Sequence, residues 1–197
     1  MKKILLSGPT ALAVSLAAAK ANLRVDGDYL DEVITAWLEG IISVLEHEIG
    51  QCLMRQTWRL VLPAFPLSSL SNSADVCTCA IVLPHPVLKV NSLTYVDVAG
   101  DEQTMPDVAY ELSAGEIETA LLPASGTSWP TTAVRPDAVI VEVECGYGDE
   151  PGKVPACIRL YILAKLVEQF DPTSKPDKNS VQSAYLERML DRCRTYR

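Results

Sequence analysis

Along this chain the spacing of apolar residues changes twice, from steps of three and four to steps of two near residue 56 and back again near residue 155. Those switches separate helical parts from a β-rich part. Over residues 29–49, Leu30, Val33, Ile34, Trp37, Leu38, Ile41, Val44 and Leu45 form one stripe, leaving Asp31, Glu39, Ser43 and Glu46 outward. Gly50 then stops the helix, because glycine accepts the left-handed conformation in which helices end. Over residues 56–148 the alternation Trp58, Leu60, Leu62 returns as Val139, Val141, Val143, with proline and glycine clusters between the runs. Residues 93–98 and 103–105 flank Ala99-Gly100-Asp101-Glu102 as a hairpin, and residues 110–112 and 117–121 read as shorter strands.

Helices are expected on both sides of this β-rich stretch. Ser15 suits the N-cap of a helix over residues 15–23, and Asp26-Gly27-Asp28 ends it and caps the next. Pro155, which has no amide hydrogen to lose, opens a helix to residue 170 with Ile158, Tyr161, Ile162, Leu166 and Val167 on one face. Residues 171–180, with two prolines and four charged side chains, read as a linker to a last helix over 181–193. Its apolar side carries Val181, Tyr185, Met189 and Leu190. The expected fold is therefore α+β. A small helical bundle core, with helices near 15–23, 29–49, 155–170 and 181–193, takes in residues 1–55 and 149–197, and a β-rich insertion, residues 56–148, stands between helices two and three. With 197 residues, 48% of them hydrophobic, the chain can bury such a core.

Charge narrows the function. Twenty-five acidic against 17 basic residues leave a formal charge of −8, which opposes affinity for nucleic acid through phosphate neutralisation. Residues 25–50 hold seven acidic side chains and no Lys or Arg, and so do residues 90–134. In residues 175–197 the sign reverses, with six basic against three acidic residues. That tail either docks on an acidic surface or is a solvated helix face.

Chemistry is hard to assemble from these residues. The chain lacks G-x-S-x-G, G-x-x-x-x-G-K-S/T, H-E-x-x-H and G-x-G-x-x-G, so no enzyme, cofactor or metal is expected. His47 lies on the polar side of an acidic helix, and His85 between prolines, which suits surface or turn roles. Cys52, Cys77, Cys79, Cys145, Cys157 and Cys193 show no zinc spacing; Cys77 and Cys79, two apart, suit burial on one strand face. The glycines of Cys145-Gly146-Tyr147-Gly148 suit a strand turning back toward Pro155. Trp37 and Trp58 are expected as packing anchors, and Trp129, in a Gly-Thr-Ser-Trp-Pro loop, as a possible subunit contact.

A further pattern is the run Ser15-Leu-Ala-Ala-Ala-Lys-Ala-Asn-Leu-Arg-Val-Asp-Gly-Asp, followed by the acidic helix and Gln56-Thr57-Trp58. Next come Phe65-Pro66, Leu83-Pro84-His85-Pro86-Val87, Val90-Asn91-Ser92-Leu93-Thr94-Tyr95-Val96-Asp97, Trp129-Pro130 and Cys145-Gly146-Tyr147-Gly148, leading to Val154-Pro155. In this order the set resembles the head–tail connector (adaptor, or head-completion) family of long-tailed phages and gene-transfer particles, over about residues 12–170. The match departs at residues 68–80 and after Phe170.

The resemblance implies a structural virion protein of the neck, assembled in the host cytoplasm with reduced thiols, that closes as a ring, a dodecamer, under the portal protein. Such a ring extends the DNA channel, lets double-stranded DNA pass without sequence-specific binding, and offers a surface to the tail or a tail-completion (stopper or terminator) protein. It has no membrane partner. For the last helix and tail, Tyr185, Arg188, Met189, Arg192, Arg194, Tyr196 and Arg197 are the expected contacts to the portal or a neighbouring subunit, the arginines as forked donors to carboxylates. The other possibility is that this helix folds back on its own acidic helix. A rival reading of the chain is a secreted or periplasmic β-rich binding domain. It rests on Met1-Lys2-Lys3 and the alanine-rich run to Ala19, which look like a signal peptide.

Overall fold

The computed structural model describes residues 1–66, 79–115 and 118–171, together with Tyr185, Arg188, Leu190 and Asp191. Contacts divide the chain into two compact units. One is Met1–Gly8 with Gln56–Gly146, and the other is Pro9–Arg55 with Tyr147–Arg197.

The second unit holds three helices among its described residues: α1 (Leu16–Leu23), α2 (Asp31–Ile49) and α3 (Ala156–Phe170). Local chemistry sets their ends. The Ser15 hydroxyl accepts a hydrogen bond from the Ala18 amide at 3.2 Å, and Arg24 closes α1 in the left-handed region at φ 56°. Gly50 closes α2 at φ 70°. Asp28 does not cap α2, contrary to expectation: Leu30 is the N-cap residue, and the Asp28 carboxylate instead pairs with Lys20 at 3.2 Å. Lys20 also reaches Asp31 at 2.6 Å, and that hydrogen bond, the largest influence, raises the lysine pKa.

Ile34, Leu38, Ile42, Leu45 and Ile49 of α2 meet Ile158, Tyr161, Ile162 and Leu166 of α3 in one buried cluster that also takes in Ala13, Val14, Ala19 and Leu190. Trp37 is only half-buried. It meets Phe170 edge-to-face at the far end of α3, with ring centroids 6.2 Å apart. Trp37→Ala should therefore cost less than the roughly 3 kcal/mol at which losses of fully buried aromatics begin, read from a thermal melt. The Glu46 side chain also departs from the outward position expected of it: its carboxylate accepts the Leu53 amide at 2.6 Å. The two legs of the unit are stitched where they leave it. The Tyr147 amide donates to the Leu53 carbonyl at 3.1 Å, the Arg55 amide to Gly148 at 2.9 Å, and the Tyr147 hydroxyl to Gln51 at 2.8 Å.

Among its described residues the other unit carries eight strands. A five-stranded sheet has the order β1-β2-β8-β4-β5, built from β1 (Lys2–Ser7), β2 (Gln56–Leu62), β8 (Val139–Cys145), β4 (Val87–Val96) and β5 (Glu102–Thr104). A three-stranded sheet has the order β3-β7-β6, from β3 (Ile81–Leu83), β7 (Thr119–Pro123) and β6 (Tyr110–Ala114). All pairings are antiparallel. The two-residue rhythm is read out directly: Val139, Val141, Val143 and Cys145 are buried, while Ile140, Glu142 and Glu144 between them are partly exposed. Register sets apolar against apolar and opposite charges against each other, with Leu60 opposite Val141 and Arg59 opposite Glu142, the last two bonded at 2.6 Å. Gly146, at φ 117°, and Gly148, at φ 143°, take positive φ where the chain turns from β8 toward α3.

The fold is thus α+β, as expected, but sheet-rich, which corrects the picture of a small helical bundle core bearing an insertion. Lys2–Ser7, expected with the helical core, is an edge strand of the sheet. A short apolar run such as Ile4-Leu5-Leu6 has no period of its own, so only its partner β2 reveals it as a strand. His85 is buried, not a surface turn residue, with Nδ1 2.9 Å from the Thr119 hydroxyl.

The β4–β5 connection shows its chemistry plainly. The Asp97 carboxylate accepts the Ala99 and Asp101 amides at 2.9 and 3.0 Å and the Gln103 amide group at 3.0 Å. Led by the Asp101 amide, these bonds hold its pKa below the ordinary carboxylate value. The depressed folded-state pKa means a stabilising contribution that is present above the unfolded value and lost as pH falls through the folded one. Asp97→Asn should therefore lower the melting temperature at pH 7, with the gap to the parent chain narrowing toward pH 3; a gap independent of pH would contradict this.

Candidate interaction surfaces

The α2 stripe is wider than what α3 covers. Val33 and Val44 are 42% and 67% exposed, and Trp37 and Ile41 are half-covered. Beside them, Ala36, Gly40 and Glu48 of α2 face Tyr161, Lys165 and Glu168 of α3 across a groove of about 470 Å³. The floor is apolar and the rim charged. Lys165 pairs with Glu168 at 2.9 Å and sits 5.5 Å from the centre of the Tyr161 ring. Gly40 gives the groove its width, since a Cβ added there would meet nothing within 4 Å. In the isolated protein Gly40→Ala should raise stability by about 1 kcal/mol, because the helix loses an entropic liability without a clash. No gain in the melt would mean that the position is already filled.

The two acidic stretches read from the sequence each present exposed carboxylates on their own unit. Glu32, Glu39 and Glu48 are exposed along α2, and Asp101, Glu102, Asp107, Glu111 and Glu118 are exposed in the β unit. At the start of β6 the Tyr110 hydroxyl donates to Asp107 at 2.8 Å, and burial, reinforced by that carboxylate, pushes the phenol up to about 12.

The expected contact residues are placed as follows. Tyr185 and Arg188 are helical and exposed, while Leu190, two residues on, is fully buried in the core of its own unit. Met189, Arg192, Arg194, Tyr196 and Arg197 lie outside the described residues, as do Val181, Cys77 and Cys193. Trp129 is half-buried against its own unit: its indole donates to the Cys79 carbonyl at 2.6 Å and stacks on Phe65 with centroids 4.7 Å apart. Phe65 also meets Tyr95 edge-on at 5.6 Å. Sequence reasoning passed over Gly40, whose place inside a strong helix was the available signal, and the exposed strand β1, whose signal was an apolar run closed by Gly8-Pro9.

Among the described residues no three or more His, Cys, Asp or Glu side chains gather where a metal could be held. No helix among them is long and apolar enough to cross a membrane. The first twenty residues contribute β1 and the buried Ala13, Val14 and Ala19, so a cut after Ala19 would strip both units of structural parts.

No protein-family profile matches the chain. No curated protein matches it. Solved structures do. The chain is similar to one in the virion of a native gene transfer agent (GTA) particle, with a TM-score of 0.76 and 19% identity over 100% of this chain and 97% of that one. The same values hold for a chain in the neck of the empty GTA particle computed with C6 symmetry. For the neck of the native particle computed with C12 symmetry the TM-score is 0.69, with 20% identity over 98% of this chain and 96% of that one. At these identities the likeness establishes a common fold across the full length of both chains.

Proposed function

We propose that the protein is a structural component of a virion neck: a head-to-tail adaptor whose copies close as a ring beneath the portal, extend the DNA channel and offer a surface to the tail or its completion protein. The observation that carries this reading is the fold match along the whole chain to a chain of gene transfer agent neck structures, one of them computed with C12 symmetry. It agrees with the ordered sequence landmarks, which point to the same class of particle without reference to the fold. The role asks for contacts, not catalysis. Copies related by rotation need two different faces that fit each other, and a ring of about twelve closes when that rotation is about 30°. A net charge of −8, with basic residues missing from residues 25–50 and 90–134, suits a wall that repels the DNA backbone and lets it slide.

The test is genetic and visual. In cells that make the particles, deleting this chain should leave DNA-filled heads without tails, and supplying it in trans should restore joined particles with the protein at the neck in subtomogram averages. Tailed, DNA-delivering particles formed without it would overturn the reading.

A further inference from the structure

Both sheets of the β unit end, among the described residues, in a strand paired on one side only. Among the described residues β1 is outermost in the five-stranded sheet and β6 in the three-stranded sheet, so each presents a row of backbone N–H and C=O groups with no strand beyond it. The two are similar in length, six and five residues. Both expose apolar side chains, Leu5 at 45% and Leu6 at 43% on β1 and Leu112 at 41% on β6, with Val108 at 85% in the turn before it. Of the other two edges, β5 is three residues long and wholly polar, and β3 is equally short with Ile81 and Leu83 already buried. Neither offers an apolar row to a partner.

Charge decides who pairs with whom. Lys2 and Lys3 stand on β1, which has no acidic residue, whereas Glu111 lies on β6 between Asp107 and Glu118, in a segment without Lys or Arg. Two copies of β1 side by side would bring lysines together, and two copies of β6 would bring carboxylates together, each destabilising. Lysines at an edge ordinarily discourage pairing. Here they exclude a like strand and admit an acidic one.

We propose that β1 of one copy adds to the open edge of β6 on the next copy, joining neighbouring subunits by strand pairing. Such a contact uses a different face on each partner, so it propagates head to tail and closes by rotation, as a ring requires, in place of a two-fold dimer. The proposal rests on the ring reading for its closure but not for the pairing itself.

The experiment uses charge reversal with rescue by mixing. One full-length variant carries K2E and K3E, so that both its edges are acidic; the other carries E111K and E118K, so that both are basic. All four positions are exposed, and circular dichroism with a melt checks that each variant folds. Self-association, followed by sedimentation at high protein concentration, should weaken at least about tenfold in each variant alone and return when the two are mixed, since every contact in an alternating assembly then joins unlike charges. Incorporation into particles should follow the same pattern, lost for each variant alone and regained on co-expression. Unaltered association of the single variants, or no recovery on mixing with both folded, would overturn the proposal. A wild-type chain that neither associates nor enters particles would overturn it as well. The adaptor reading is scored separately, by whether wild-type protein occupies the neck; wild-type necks with charge-insensitive assembly leave that reading standing without this interface.

Discussion

Leu190→Ala should destabilise the helical unit by about 2–5 kcal/mol, the cost of emptying a fully buried leucine site, whereas Tyr185→Ala, five residues earlier and 64% exposed, should change stability by no more than about 0.5 kcal/mol. The contrast is steep because Leu190 is fully buried in the core of its own unit whereas Tyr185 faces water. Thermal melts of the two variants test it directly, and a melt unchanged by Leu190→Ala would mean that the C-terminal segment is not anchored where it is seen. The result bears on function. With Leu190 tucked into its own unit, a truncation at Phe170 removes core packing along with the basic tail sequence, and loss of particle binding would then have two causes. Substituting Arg188 and Tyr185, which are exposed, leaves the anchor in place and tests the docking proposed for them by itself.

Excising the β unit should leave a folded helical unit. Joining Arg55 to Tyr147 through about three Gly/Ser residues, and starting the chain at Pro9, keeps every member of the buried helical cluster. The junction is short in space because the Arg55 amide is bonded to the Gly148 carbonyl at 2.9 Å and the Tyr147 amide to Leu53 at 3.1 Å. Circular dichroism should show helix retained and strand lost, with a cooperative melt. An unfolded product would show that the helices depend on the sheets. Starting at Pro9 matters, since an excision that keeps residues 1–8 strands β1 without β2 and leaves Ile4, Leu5 and Leu6 as a loose apolar tail. If the strand pairing proposed between copies is correct, the excised protein also loses assembly while remaining folded.

What the sequence determined by itself is the part that short-range chemistry controls. Ser15 as a cap, Gly50 as a stop, Pro155 at the start of α3, and the buried face of Ile158, Tyr161, Ile162 and Leu166 all follow from residues within a turn or two of one another. The alternation of β8 and a hairpin turn at Gly100 are legible for the same reason, although the turn begins at Asp97, which the pattern assigned to the strand. Tertiary structure decided whatever depends on partners far along the chain. Lys2–Ser7 is a strand only because Gln56–Leu62 lies beside it, and the order β1-β2-β8-β4-β5 cannot be read from runs that each look alike. The α2 stripe named Ile34, Leu38 and Leu45, which α3 covers, but it missed the buried Ile42 and Ile49 and included Val33 and Val44, which stand in water. Periodicity states which side of a helix is apolar; how much of that side is covered depends on the width of the element packed against it, which no local pattern contains.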